Sequence, residues 1–226
     1  KILVVEKNIT AQKEVSKKLE ETLNQERELT EMKSRFVSMA SHEFRTPLTT
    51  INSSASLIKK HHERGSYDKL DKHADRIKNS VRNLTAILND FLSFEKLEAD
   101  KMNVTFSDWS IPNLLQEAFD EMSDITKPEQ KIIYKGPKEL VIQTDGQLLK
   151  NTMLNMLSNA VKYSRPRGEI IVSLADQTDE IGISIQDFGV GIPKNDQKNL
   201  FTRFFRAGNV TNIEGTGLGL NIVVRY

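Results

Sequence analysis

Apolar residues recur along the first part of the chain at Val15, Leu19, Leu23, Leu29, Met32, Phe36 and Met39, in steps of three and four except between Leu23 and Leu29. That period predicts one long amphipathic helix from Thr10 to about Arg64. Glu, Lys, Gln and Leu dominate the stretch, and it holds no glycine and one proline, Pro47. A narrow apolar seam with charged flanks cannot bury itself on a lone helix, so a coiled coil with a second chain is expected. Gly65-Ser66 breaks the pattern. A cleaner stripe follows at Leu70, Ala74, Ile77, Val81, Leu84, Leu88 and Phe91, spaced alternately four and three. Two such helices around a short turn predict an antiparallel hairpin that completes its core by pairing with another, giving a dimeric four-helix bundle.

After about Asp100 the pattern changes to short alternating elements. Strand-like runs fall at 103–106, 131–134, 140–143, 169–174 and 181–186, with helical periods over 111–122 and 147–163. The second part therefore reads as an α/β domain. From Gly182 onwards glycines cluster as DFGVGIP and EGTGLGL, where backbone must turn sharply or approach a ligand closely.

With 226 residues, the chain has room for one or two domains. Its 32 Lys+Arg offset 31 Asp+Glu, so charge gives no reason to expect nucleic acid or an anionic membrane as partner. The absence of cysteine removes disulfides, thiolate metal sites and thiol nucleophiles, and suits a reducing, cytoplasmic compartment. No apolar run approaches the roughly 18 to 20 residues that span a bilayer, so this fragment is expected to make no membrane contact, whether or not its parent is anchored. The strand-like start KILVVEKNIT and the uncapped end NIVVRY suggest that the chain is cut at both ends.

Two constellations carry chemistry. In SHEFRTPLTT, a helix puts His42 and Thr46 on one face about one turn apart, with Glu43 beside them. Pro47 has no amide proton for the Glu43 carbonyl, and its ring crowds that carbonyl, so the helix should bend there. A lone histidine in such a setting is most simply a surface residue, and HEFRT lacks the second histidine of a zinc-protease HExxH. As chemistry, however, a neutral imidazole with one nitrogen held as N–H is a nucleophile near neutral pH. Glu43 could hold that proton and Thr46 could orient a water. His61, His62 and His73 stand in polar context near the hairpin turn and read as solvated surface.

The second constellation begins in LLKNTMLNMLSNAVKYS. Asn155, Asn159 and Lys162 or Tyr163 share one helix face, while Met153, Leu154, Leu157 and Val161 form the other. Asparagine is a poor helix-interior residue, and two on one face beside a lysine suit a magnesium-bound phosphate. Asp145 reads as the N-cap of this helix. Asp187 ends an alternating apolar strand, and its carboxylate would accept the exocyclic amine of adenine at the floor of an apolar pocket. By itself Asp187-Phe188-Gly189 is an ordinary strand-ending turn. Gly215, Gly217 and Gly219 let backbone amides approach phosphate as a helix begins. The intervening LFTRFFRAGNVTNIE reads as a lid, with Arg206 placed either on the surface or towards a terminal phosphate.

These residues in order resemble a known family. SHEFRTPL resembles the H box of sensor histidine kinases, and NMLSNAVKYS, DFGVGIP, LFTRFFR and GTGLGL resemble the N, first glycine, F and second glycine boxes of their ATP-binding domain. The resemblance implies residues 1–9 as the end of a PAS-like sensor domain and 10–31 as a signalling coiled-coil helix. It implies 32–100 as the dimerisation and phosphotransfer hairpin, and 101–226 as an α/β sandwich ATP-binding domain, incomplete at its C-terminus. His42 would then be autophosphorylated from ATP and Mg²⁺, with Glu43 as acid-base partner, Thr46 in dephosphorylation and Arg206 at the terminal phosphate. Asn159 would hold the metal, Asn155, Lys162 and Tyr163 would line the nucleotide, and Asp187 would read adenine. Gly189, Gly191, Gly215, Gly217 and Gly219 would shape the pocket. The implied partners are a second copy of the chain, a response regulator receiver domain and an upstream sensor domain. A conformational ATPase without phosphohistidine and a non-catalytic dimeric scaffold are the competing readings.

Overall fold

A computed structural model describes residues 10–64, 66–67, 69–98, 102–123, 125–176, 180–213 and 215–226. The expected end of a sensor domain at 1–9 and the turn glycine at 65 lie outside the described residues. The chain divides into two compact units, Lys1–Ser80 and Val81–Tyr226.

The first unit is helical. Helix α1 (Thr10–Glu63) runs unbroken through Pro47, and α2 (Leu70–Glu98) begins after the chain reverses, its residues from Val81 onwards belonging to the second unit. At the reversal the His61 carbonyl accepts from Arg64 N at 3.2 Å and from Ser66 N at 3.0 Å, which ends α1. These two helices are the expected hairpin. Among its described residues up to Ser80, the buried positions are Glu43, Pro47, Ser54, His73 and Ser80, whereas Leu48 and Leu57 are exposed. His73, expected at the surface, is 6% exposed and stacks on His61 with ring centroids 5.5 Å apart. It sits one residue before Ala74 of the stripe, close enough to the apolar face to be drawn in with it.

In the second unit, α3 (Ile111–Ser123) and α4 (Gly146–Tyr163) cover a sheet of β2 (Lys131–Lys135), β4 (Glu169–Asp176) and β5 (Ile181–Asp187). β2 pairs parallel and β5 antiparallel with the central β4. On β4 the alternate residues Ile170, Val172 and Leu174 are buried against Leu114, Leu115 and Ala118 of α3 and Met153, Leu157 and Val161 of α4. Strand period 2 meets helix period 3.6 in one apolar layer, as the sequence pattern requires.

A short antiparallel pair, β1 (Ser107–Ser110) with β3 (Val141–Thr144), flanks this core. The strand expected at 103–106 lies four residues later. Asp145 is the reason: its carboxylate caps α4 by accepting from Leu148 N at 3.0 Å and also takes Thr105 N at 2.8 Å. A cap bond thus occupies the backbone that a ladder would have used, and Val104 and Phe106 remain exposed. The C-terminal part adds α5 (Lys194–Gln197), a 3₁₀ turn at Gly208–Val210 and α6 (Gly219–Arg225). Among the described residues, no helix is long and apolar enough to cross a membrane.

Candidate functional site

The helix around Pro47 is continuous but carries features that weaken its main-chain ladder. Beyond the proline, hydroxyls bond back to carbonyls one turn earlier: Thr49 to Arg45 at 2.8 Å, Thr50 to Thr46 at 3.1 Å, Ser53 to Thr49 at 2.8 Å and Ser56 to Asn52 at 2.9 Å. Such bonds loosen the main-chain ladder they share. The hydroxyl-rich run TTINSSAS is a second signal of bending, additional to Pro47 and visible in the sequence.

Beside that segment His42 points outward, its side chain 76% exposed, while Glu43 is 7% exposed. Glu43 Oε1 lies 3.7 Å from His42 Nδ1, within ion-pair range and beyond a hydrogen bond. The carboxylate is therefore on the Nδ1 side of the ring, and Nε2 is the nitrogen it leaves unengaged. Thr46 is exposed. Ser41, Phe44, Arg45, Leu48, Thr49 and Asn52 line an open depression next to this group.

In the second unit, α4 brings Asn155, Asn159, Lys162 and Tyr163 to one half-buried face. Lys127, which belongs to no motif of the sequence, secures the end of this helix: its ammonium donates to Lys162 O at 2.7 Å and Ser164 O at 2.5 Å. A cation on the last carbonyls is favourable there. Burial pushes the Tyr163 phenol above its ordinary pKa, with the nearby Arg206 guanidinium pulling the other way.

Both glycine clusters close on that face. A Cβ on Gly189 would stand 2.3 Å from the Tyr163 carbonyl oxygen and 2.7 Å from Asp187 Oδ1. Gly189 N donates to that Asp187 oxygen at 2.8 Å, and Val190 N to Tyr163 O at 3.3 Å. A Cβ on Gly215 would meet Lys162 Nζ at 2.5 Å, and one on Gly219 would meet Asn155 Oδ1 at 3.1 Å. Gly217 has φ +67° and Gly191 also φ +67°, a region that favours glycine. Gly189, Gly215 and Gly219 thus allow close approach to residues of α4, while Gly191 and Gly217 supply left-handed backbone, Gly217 against Phe204 and Phe205.

Two expected placements change in detail. Asp187 is exposed rather than at the floor of an apolar pocket, with its carboxylate fixed by Gly189 N. Arg206 is turned into its own loop, donating to Val210 O at 3.0 Å and Thr211 O at 3.3 Å and also to Ile213 O. It thereby braces the loop expected to act as a lid. Asn209 Nδ2 ties that lid to Gly191 O at 3.0 Å, and Phe204 N ties it to Gly217 O at 3.1 Å. Among the described residues, no cluster of three or more His, Asp or Glu side chains could hold a metal. A divalent ion would here need the oxygens of a bound phosphate chain beside the Asn159 amide, which suits Mg²⁺.

Two family models match the chain. The His Kinase A (phospho-acceptor) domain covers residues 32–100, and the histidine kinase-, DNA gyrase B- and HSP90-like ATPase covers residues 144–226. Sensor protein GacS of Pseudomonas syringae pv. syringae is 31% identical over 207 residues, 87% of this chain and 22% of that protein. Hybrid signal transduction histidine kinase B of Dictyostelium discoideum is 32% identical over 86% of this chain and 10% of its own length. The chain therefore spans about a fifth or less of these two relatives. Histidine kinase AdeS of Acinetobacter baumannii shares the fold, with a TM-score of 0.57 at 19% identity over 81% of this chain and 84% of that one. Full-length ShkA in complex with AMPPNP has a TM-score of 0.55 at 26% identity, over 82% of this chain and 38% of ShkA.

Proposed function

This chain belongs to the sensor histidine kinase family of two-component systems, and we propose that it transfers the γ-phosphoryl group of ATP to His42. The observation that carries the proposal is the exposed His42 ring with the buried Glu43 carboxylate on its Nδ1 side. Nε2 attacks the γ-phosphorus, the bond to the β,γ-bridging oxygen breaks, and ADP departs with that electron pair. Glu43 stabilises the positive charge that develops at Nδ1–H. Such transfer needs little covalent chemistry from the protein beyond positioning and charge neutralisation.

The pocket residues divide these tasks. Asp187, held by Gly189 N, accepts the adenine amine, and Lys162 beside Gly215 faces the phosphates. A Mg²⁺ ion held by Asn159 supplies further neutralisation of phosphate charge when bound. AMPPNP in ShkA supports an adenine nucleotide in this pocket. The phosphoryl group then passes to an aspartate of a response regulator receiver domain, and Thr46, exposed on the same helix, orients a water that hydrolyses the aspartyl phosphate and releases inorganic phosphate.

A homodimer follows from the hairpin's composition. Leu48 and Leu57 on α1 and Val81 and Leu88 on α2 are exposed, although the last two belong to the regular apolar stripe. A second copy would cover them, completing a four-helix bundle. The upstream sensor domain and a cytoplasmic setting, where ATP is available, complete the reading. The competing scaffold and conformational-ATPase readings leave the His42–Glu43 pair without a use. Labelling with γ-labelled ATP tests the proposal: acid-labile phosphate should appear on the wild-type chain and vanish in His42→Gln. Undiminished labelling of that variant would overturn it.

A further inference from the structure

On α2, Asp90, Phe94 and Glu98 recur every four residues and so share one helix face. Each reaches the C-terminal part of the second unit. Asp90 Oδ2 accepts from the Thr216 hydroxyl at 2.8 Å, between Gly215 and Gly217. The Phe94 ring lies 5.9 Å from that of Phe204, and Arg203 sits over Phe94 at 5.4 Å. Glu98 accepts from Arg203 at 2.7 Å and pairs with Arg225. Phe204 has φ +61°, so the lid segment that meets α2 carries backbone strain. None of these α2 residues has a role in the phosphotransfer described above.

Asp90 is distinctive because of what stands behind Thr216. The Thr216 hydroxyl is buried, donates to Asp90 and is within 3.3 Å of Leu218 N. The adjacent Gly215 lies against the Lys162 ammonium, and that ammonium also acts on the Asp90 carboxyl. The corner that would receive the phosphate chain therefore already faces a carboxylate. Two negative groups in a partly desolvated corner oppose each other much more strongly than in water. Burial raises the pKa of this carboxyl, against the Thr216 hydrogen bond and the Lys162 charge, so it is already unfavourably placed as an anion.

We propose that Asp90 is a positioning residue whose carboxylate opposes phosphate at the Thr216–Lys162 corner, so that nucleotide binding and α2 docking on the second glycine box weaken each other. The inference rests on the assignment of this pocket to ATP. By linkage, whatever holds α2 on the glycine box lowers ATP affinity, and bound ATP loosens α2 by the same factor. A change in α2 thus becomes a change in nucleotide occupancy.

Dissociation constants for ATP and for adenosine, measured on the same chain by calorimetry, separate charge from shape. Asp90→Asn keeps an acceptor for Thr216 and removes the charge. It should tighten ATP by about three- to tenfold and leave adenosine within about twofold, since adenosine has no phosphate. Asp90→Ser, also uncharged, should do the same and serves if the asparagine variant fails to fold. An unchanged or weaker ATP affinity in a folded variant, or an equal shift for adenosine, overturns the inference alone. Failure of the wild-type chain to bind ATP overturns the pocket assignment, and this inference with it.

Discussion

Replacing Gly189 by alanine isolates one close contact in the proposed nucleotide pocket. The new methyl would stand 2.3 Å from the Tyr163 carbonyl oxygen and 2.7 Å from Asp187 Oδ1. Restoring ordinary contact requires the loop to retreat by about 1 Å. Two bonds fail with that retreat: Gly189 N to Asp187 Oδ1 at 2.8 Å and Val190 N to Tyr163 O at 3.3 Å. A hydrogen bond to a charged group contributes about 1.5 to 3 kcal/mol and a neutral one about 1, but Asp187 is exposed and water recovers part of its share. A net loss of about 2 kcal/mol corresponds to roughly thirtyfold weaker ATP binding. Gly191→Ala is the matched comparison. Its methyl would meet nothing within 4 Å, and only its φ of +67° opposes the change. That penalty is about 1 kcal/mol, so ATP should weaken by roughly fivefold or less. Titration with a fluorescent ATP analogue reads both variants. A Gly189→Ala affinity within threefold of wild type, or a larger loss at Gly191, would refute the reasoning.

Two further expectations concern the hairpin. Pro47→Ala restores the amide that bonds Glu43 O, relieving a helix-interior penalty of about 3 kcal/mol in part, because the buried ring's packing is lost. The hairpin should melt higher, and the ratio of His42 phosphorylation to regulator dephosphorylation should shift; a lower melting temperature with both activities intact would remove Pro47 as a hinge. Burial holds the His73 imidazole below its ordinary pKa of 6.5, helped by His61, Arg76, Lys72 and Lys69. The unfolded chain then takes up a proton near pH 6.5 that the folded chain accepts only at lower pH, so stability present above that pH is lost on acidification. Melting curves from about pH 7.5 down to about pH 5 should show a fall that His73→Gln reduces; an identical slope in the variant would count against the buried neutral imidazole.

The elements are legible in the sequence where a single face decides the pattern. In α4 the buried Met153, Leu157 and Val161 must recur with the helix, so Asn155 and Asn159 are displaced to the opposite face and become visible as misfits. The glycines are legible for a similar reason, since Gly189 and Gly217 stand where any side chain would strike backbone. The strand expected at 103–106 fails because its competitor is remote: Asp145 takes Thr105 N across 40 positions, and no local period records that. Likewise Lys127 reaches the end of α4 from 35 residues away.

Asp90 is the extreme case of such a remote partner. In the heptad it falls between Leu88 and Phe91, where a carboxylate on a helix surface attracts no notice. Its significance depends on Thr216, 126 residues later, and on Lys162 behind the neighbouring glycine. In the sequence the glycines of the second glycine box explain close backbone approach by themselves, and the threonine between them has no visible partner. Yet Gly215 and Gly217 flank a hydroxyl that no glycine could supply, and that hydroxyl binds α2. With the pocket assigned to ATP as proposed, the motif would work in two directions: its backbone towards the nucleotide, and its Thr216 side chain towards α2. Any displacement of α2 by about the length of one hydrogen bond is enough to break the Asp90 contact, so under the proposed coupling a small movement in the helix would alter the charge met by incoming phosphate.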